Sequence, residues 1–291
     1  WFSSRFIVTC AVIAAVTFVV FVWRQLSVAH PIIDLRLYMR RNVGMTQLVL
    51  FMVGMSLYTS TVMIPLFLQE LMGYNARQAG TAVSTGAIVL IFLFPVAGKF
   101  APMFDARKLV AIGFVITTLG LIRMANLNFN ITFWQAASWR AFIALGLPFL
   151  FIPINTLCYA GIPQHKNNEV SGMSALSRNL GGSVGISMVT TLLARLTQKH
   201  MVFLGAAAAP GNAPFEQMRS GLAGAWQQNG LAQPDAIYRA GAQIYEMAQR
   251  QARLLAYVDV IWIFVGITIV LIPLPFLMDR PKKTGGVMVG H

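Results

Sequence analysis

The chain has 291 residues, of which 57% are hydrophobic and 11% charged, with a mean hydropathy of +0.66 and a formal net charge of +13. Soluble domains carry about 25% charged residues, so the composition excludes an ordinary soluble fold, and length is counted in membrane spans of about 20 residues. The basic residues flank apolar runs instead of forming one stripe, which argues against nucleic acid as a partner and matches the basic bias of cytoplasmic loops.

Seven apolar segments follow in chain order, at 6–23, 45–69, 79–101, 109–127, 133–158, 171–194 and 257–278, each long enough to cross the hydrocarbon core as a helix. Arg24, Arg36, Arg40, Arg41, Lys99, Arg107, Lys108, Lys166, Arg280, Lys282 and Lys283 fall on one side if the spans alternate. Arg5, Arg77 and Arg123 fall on the other. The start of the chain is therefore expected outside and its end in the cytoplasm. Residues 1–44 read as a linker transmembrane helix and cytoplasmic loop, 45–281 as one membrane domain with an outer loop at 195–256, and 282–291 as a cytoplasmic tail. The chain opens on Trp1, and it reads as a fragment. After the first span, six remain as two triplets, 45–127 and 133–278, one starting inside and one outside, so any repeat between them is inverted.

The 45–69 span carries Gln47, Met55, Tyr58 and Thr59 among methionines and aromatics, a surface that suits varied apolar ligands or plain packing. In the 133–158 span, Arg140 lies about two turns inside, followed by Gly146, Pro148 and Asn155. It either faces an interior pathway or snorkels to the interface beside Trp134 and Trp139. The run 171–187, SGMSALSRNLGGSVGIS, places Ser174, Ser177, Gly181 and Gly185 at spacings of three and four, on one helical face that admits another backbone. Arg178 and Asn179 flank that face. An arginine at such depth costs roughly 2.5–3.5 kcal/mol unless it meets protein or water. Pro65, Pro95, Pro148, Pro153, Pro273 and Pro275 fall inside spans, where neighbouring helices satisfy the freed backbone groups.

No carboxylate falls in mid-membrane: Glu70 and Asp259 lie near outer ends, and Asp34, Asp105, Glu169 and Asp279 at the cytoplasmic face. In the outer connection, 206–214 reads as flexible or extended. From Pro234 onward Ile237, Ala240, Ile244, Met247 and Leu254 suggest an amphipathic helix lying on the interface, or a cap over the outer mouth. Cys10 and Cys158 sit in apolar runs and read as small buried hydrophobes, not as a disulfide or metal site. There is no Walker motif, no HExxH and no nucleophile elbow, so the reading is of a non-enzyme without metal.

Several pieces in order are similar to one family: WFSS (1–4), HPIIDLRLYMRRN (30–42), IPLFLQELMGYNARQAG (64–80), FPVAGKFAPMFDARKL (94–109), WRAFIALGLPFLFIPINTLCYAGIP (139–163), EVSGMSALSRNLGGSVGIS (169–187) and YVDVIWIF (257–264). They resemble the C-terminal half of the 14-span drug:proton antiporters of the major facilitator superfamily, the EmrB/QacA type. The resemblance implies an all-α membrane protein, a half-bundle of six transmembrane helices with an inverted three-plus-three repeat, preceded by one linker transmembrane helix.

By the same resemblance 45–69 and 133–158 line a central cavity, while 79–101 and 171–194 form the surface that rocks against the other half. Arg140, Arg178, Asn155, Asn179, Tyr58, Thr59, Met55 and Gln47 would then mark the substrate and proton pathway. The small face of Ser177, Gly181 and Gly185 would slide on a domain outside this chain, with Gly98, Asp105 and Arg107 as packing and gating residues. Pro102 stands where the family's loop often has an aspartate.

The function implied is secondary active, proton-coupled efflux of amphipathic toxic compounds, cationic or neutral, by alternating access. It would run on the proton motive force without a cofactor, in a bacterial cytoplasmic (inner) membrane. The partners implied are the N-terminal half with its acidic first-helix motif, amphipathic small molecules, the lipid bilayer, a periplasmic adaptor and an outer-membrane channel. Two alternatives stand beside it: export of a specific siderophore, antibiotic or metabolite, and a non-transporting membrane scaffold derived from the fold.

Overall fold

Helix ends are set by local chemistry that the sequence supplies. The computed structural model describes residues 4–28, 35–159, 162–163, 166–207 and 211–278. Asp34, Asp279, Arg280, Lys282, Lys283 and the tail 282–291 lie outside the described residues. The α-helices are α1 (Arg5–Ser27), α2 (Arg41–Glu70), α3 (Ala76–Phe100), α4 (Ala106–Met124), α5 (Phe133–Tyr159), α6 (Asn167–Ala207), α7 (Ala213–Gln228) and α8 (Gln233–Leu271). Short 3-10 turns cover Leu35–Met39, Ala101–Met103 and Leu274–Leu277, and no strand occurs among the described residues. Gly73 takes a left-handed turn (φ +72°), and Asn75 with Gln78 then forms a reciprocal capping box that starts α3. Asp105 accepts a hydrogen bond from the Arg107 backbone N–H at 3.1 Å and starts α4. Pro65, Pro95, Pro148 and Pro153 stay within helices as expected. Pro273 and Pro275 do not: α8 ends at Leu271 and they shape the 3-10 turn beyond it, because a proline has no N–H to continue the ladder.

Six helices are long and apolar enough to cross a membrane by length and composition: α1, α2, α3, α5, α6 and α8. The seventh expected span, α4, has 19 residues that include Arg107, Lys108 and Arg123, so its apolar stretch is short. It packs into the bundle all the same, burying Val110, Phe114, Thr117 and Leu121. The result is the expected half-bundle, α2–α6 with α8, preceded by one further helix. One core lies where Met63, Phe67, Leu68, Leu121, Tyr257 and Phe264 meet. A second joins Val49, Leu50, Phe114, Leu147, Ile154 and Leu271. Between α4 and α5 a Cβ on Gly146 would lie 2.6 Å from the Gly113 carbonyl oxygen, so these two helices touch backbone to backbone. By contrast α1 leaves nearly all its side chains bare, Phe18, Val19 and Trp23 among them, and buries only Gln25. Its apolar surface is stable only in lipid or against another protein.

The connection at 195–256 departs from expectation. α6 has 41 residues and α8 has 39. At 1.5 Å per residue each runs about 60 Å, twice the roughly 30 Å of hydrocarbon. Both therefore project beyond one face of the bundle, and α7 packs on α8 there. The helix from Pro234 does not lie on the interface, because it continues unbroken into the span. Its buried stripe includes Ala236 and Ala240, set against Ala223, Leu222 and Trp226, and Ile244, while Ile237 and Met247 are exposed. The Trp226 indole N–H donates to Gln243 Oε1 at 3.1 Å and locks the pair. Of the piece 206–214, Ala207 closes α6 and Ala213 opens α7, while 208–210 lie outside the described residues. We call this side the hairpin face and the other, with Leu35–Met39 and the α3–α4 turn, the opposite face.

If α8 projects as one helix, the bilayer edge falls within it. On a Cys10→Ala background in nanodiscs, Tyr245→Cys is expected to react with a membrane-impermeant maleimide and Trp262→Cys to resist it. Equal protection of both positions would place 233–256 in the membrane.

Candidate functional site on the α2, α5 and α6 face

Among the described residues the closest glycine contact joins α2 to α6. A Cβ on Gly185 would stand 2.7 Å from the Met55 carbonyl oxygen, and one on Gly181 would overlap the Phe51 carbonyl. A Cβ on Gly54 would in turn overlap the main chain of Arg178, and one on Gly182 the Tyr58 ring. Ser177 is buried, and its hydroxyl is 3.3 Å from the Tyr38 hydroxyl. The small face of α6 thus does admit another backbone, but that backbone belongs to α2 of the same bundle. This corrects the expected sliding contact with a domain outside the chain: the glycines are consumed inside it. What α6 leaves bare is another face, with Leu176, Asn179, Leu180, Ser183 and Val184 exposed.

Because Gly54 holds its main chain, Arg178 is fixed at the crossing and its half-buried side chain turns to α5. There its guanidinium carbon lies 5.8 Å from the Phe151 ring centroid, an attraction between cation and ring face. Tyr58 on Gly182 is one turn along, and Asn155 is exposed one turn beyond Phe151. Arg178 is eleven residues into α6, about 16 Å along the helix axis and so near mid-membrane.

Arg140 has a different setting. Only 6% of it is exposed. Its Nη2 donates to Thr61 Oγ1 at 3.0 Å and its Nη1 to Ser60 Oγ at 3.5 Å, both on α2. Gly86 of α3 leaves the space its stem needs, since a Cβ there would be 3.1 Å from Arg140 Cγ. Nε has no hydrogen-bond partner, and among the described residues no carboxylate pairs with the guanidinium. Arg140 therefore neither snorkels nor stands open on a cavity wall. It braces α5 to α2 where α3 gives way.

The remaining expected site residues separate in the same manner. Met55 is 5% exposed and lies under Gly185, and Thr59 is 1% exposed with an unpartnered hydroxyl, so both belong to the packed interior. Gln47 is buried toward the opposite face, where its Nε2 donates to Ser174 Oγ at 3.2 Å and Cys158 Sγ at 3.4 Å. Its Oε1 is unpartnered. Cys158 thus joins a polar link between α2, α5 and α6, which reading it as a plain hydrophobe missed. Asp105 sits 3.5 Å from Arg107 Nε, and Arg107 Nη1 donates to the Met278 carbonyl at 2.9 Å, tying α4 to the chain beyond α8. Gly98 and Asp105 line a cavity of about 670 Å³ on the opposite face with Pro102, Phe104, Lys108 and Pro153. Gly98 is loosely packed: a Cβ there would lie 4.0 Å from Ile152 Cδ1.

Sequence reasoning also missed the polar contacts on the hairpin face. His200 of α6 meets Asp259 of α8 at 2.8 Å, and the Tyr257 hydroxyl donates to Glu70 at 3.3 Å. His200 and Asp259 are 59 residues apart, and only the antiparallel packing of two long helices brings them together. No group of His, Cys, Asp and Glu among the described residues has the geometry of a metal site.

Comparison with known proteins adds three observations. The family model described as Major Facilitator Superfamily matches residues 1–186. The chain is 29% identical over 287 residues to the Multidrug export protein EmrB of Escherichia coli (strain K12), covering 98% of this chain and 54% of that protein. It is 26% identical over 288 residues to the Colistin resistance protein EmrB of Acinetobacter baumannii (97% and 55% covered). With the Fatty acid resistance protein FarB of Neisseria gonorrhoeae it shares 25% over 287 residues (98% and 55%). The chain spans about half the length of these curated relatives.

The glycine contact generates a contrast. Gly181→Val is expected to cost at least about 1–3 kcal/mol through overpacking and to lower the melting temperature of the purified protein. Gly98→Ala, whose Cβ would make only an ordinary 4.0 Å contact with Ile152 Cδ1, should leave it within error of the parent. Thermal unfolding in detergent measures both.

Proposed function

The chain belongs to the Major Facilitator Superfamily, and we propose that it is the C-terminal half of a proton-driven exporter of amphipathic toxic compounds. The family is one of membrane transporters, so the chain is part of a multi-pass transporter and not of an enzyme. The observation that carries the proposal is Arg178, a guanidinium near mid-membrane beside Phe151 and Tyr58, on a face that also exposes Asn155 and Asn179. An arginine at that depth is tolerable only against protein, water or cargo, and the α2, α5 and α6 face supplies one wall of such a space. The N-terminal half would supply the other wall, and rocking of the two halves would open the space alternately to either side of a bacterial inner membrane.

In this reading Phe151 and Tyr58 offer flat apolar contact to cargo, and Arg178 offers positive charge. Arg140, Gln47 and the glycines hold those groups in place. The charge bears on cargo: this wall repels cations, so of the cationic or neutral compounds expected from sequence the neutral ones fit it better, and anionic amphiphiles fit it too. The fatty acid resistance named for one relative agrees with that preference. The acids that couple transport to protons would lie in the N-terminal half. The hairpin face would be external, and its projecting α6, α7 and α8 are the natural contact for a periplasmic adaptor that leads to an outer-membrane channel.

The test uses the full-length transporter in a pump-deficient host. Arg178→Ala should lower efflux of a neutral or anionic dye about tenfold, the scale of one charge-assisted contact, at unchanged protein level, and Arg178→Lys should restore much of it. Arg140→Ala should instead lower the amount of folded transporter. If both alanine variants leave efflux and abundance untouched, the roles given to these residues are wrong.

A further inference from the structure

On the hairpin face, away from the glycine crossing, a cavity of about 450 Å³ opens between α8, the end of α2 and the α4–α5 connection. It is lined by Leu71, Met72, Phe129, Met247, Arg250 and Gln251: four apolar side chains, one amide and one cation. Arg250 is exposed, and its Nη2 donates to the Leu71 carbonyl at 3.1 Å. Among the described residues that is its one hydrogen bond, and no carboxylate pairs with it. The neighbouring acid, Glu70, accepts from the Tyr257 hydroxyl instead. A guanidinium has five N–H donors in a planar fork suited to phosphate, and most of this fork remains available.

Depth selects the ligand. The bond to Leu71 holds the guanidinium level with the end of α2, where the apolar span gives out one residue after Glu70. That is the headgroup layer, just outside the roughly 30 Å hydrocarbon core. Toward the membrane interior α4 and α8, which pack on one another, present bare apolar side chains: Val115 and Leu119 on one, Trp262 and Ile269 on the other. A free phosphate gains nothing from Leu71, Met72, Phe129 and Met247, whereas a glycerophospholipid fills such walls and extends its chains along the apolar surface beyond. We propose that this cavity binds the headgroup of an anionic phospholipid from the leaflet on the hairpin face, with Arg250 on its phosphate. The site stands independently of the transport reading.

The experiment is native mass spectrometry of the full-length transporter, delipidated and titrated with phosphatidylglycerol, phosphatidylcholine or inorganic phosphate. The parent and Arg250→Lys should retain phosphatidylglycerol about fivefold over phosphatidylcholine, the scale of one basic residue near an anionic headgroup. Arg250→Gln should abolish that preference, and Met247→Trp, which fills the cavity while leaving the charge, should lower retention of phosphatidylglycerol. Unchanged retention in Arg250→Gln and Met247→Trp overturns the proposal. So does displacement of phosphatidylglycerol by equimolar inorganic phosphate, which would make this a free-anion site.

Discussion

Everything else in the bundle is arranged around the direct contact of two backbones, α2 and α6, at Gly54, Gly181 and Gly185. In a membrane there is no hydrophobic force to press helices together, because lipid tails are as apolar as leucine, so helices associate by close packing. Removing the side chains at the crossing lets long stretches of α2 and α6 approach within van der Waals range. The same crossing fixes the height and rotation of Arg178, and through it the position of a charge that would otherwise find the nearest water. α4 and α5 repeat the device at Gly113 and Gly146. Two glycine seams thus hold four of the helices while α1 stays outside the packing.

The polar groups in the apolar interior sort themselves by what they join. Gln47, Ser174 and Cys158 join three helices near the opposite face; Arg140, Ser60 and Thr61 join two nearer the hairpin face. A hydroxyl is a weak partner for a guanidinium, and Arg140 keeps an unpartnered Nε. Such a brace rigidifies through geometry more than through strength, since the alternative for every member is to be buried without any partner. Arg178 differs in kind, because its nearest partner is a ring and its surroundings are half open. One arginine is spent inside the bundle and the other is offered outward.

Much of this was legible in the sequence, and the parts that were not have physical causes. Apolar run length located the helices, and the spacing of Ser177, Gly181 and Gly185 announced a backbone contact. Spacing alone carries no information on which helix comes close, and the contact was assigned to the wrong partner. Arg140 and Arg178 looked alike as charges in apolar runs; what divides them is a pair of hydroxyls on α2, eighty residues away in sequence. The helix from Pro234 had a visible amphipathic pattern, and Ala240, Ile244 and Leu254 of it are buried, but Ile237 and Met247 are exposed and Ala236, weak in hydropathy, was passed over. The pairing of His200 with Asp259 needed two long helices in register, which no local pattern reports.

The length of α6 and α8 has a mechanical consequence. Neither helix has a break where it leaves the bundle, and His200 with Asp259 pins one to the other beyond the glycine crossing. A stiff rod converts a small rotation at one end into a large displacement at the other: a tilt of about 5° moves a point about 30 Å along the helix by about 2.6 Å. The projecting hairpin is therefore a lever, and whatever touches its tip is mechanically connected to the glycine seam.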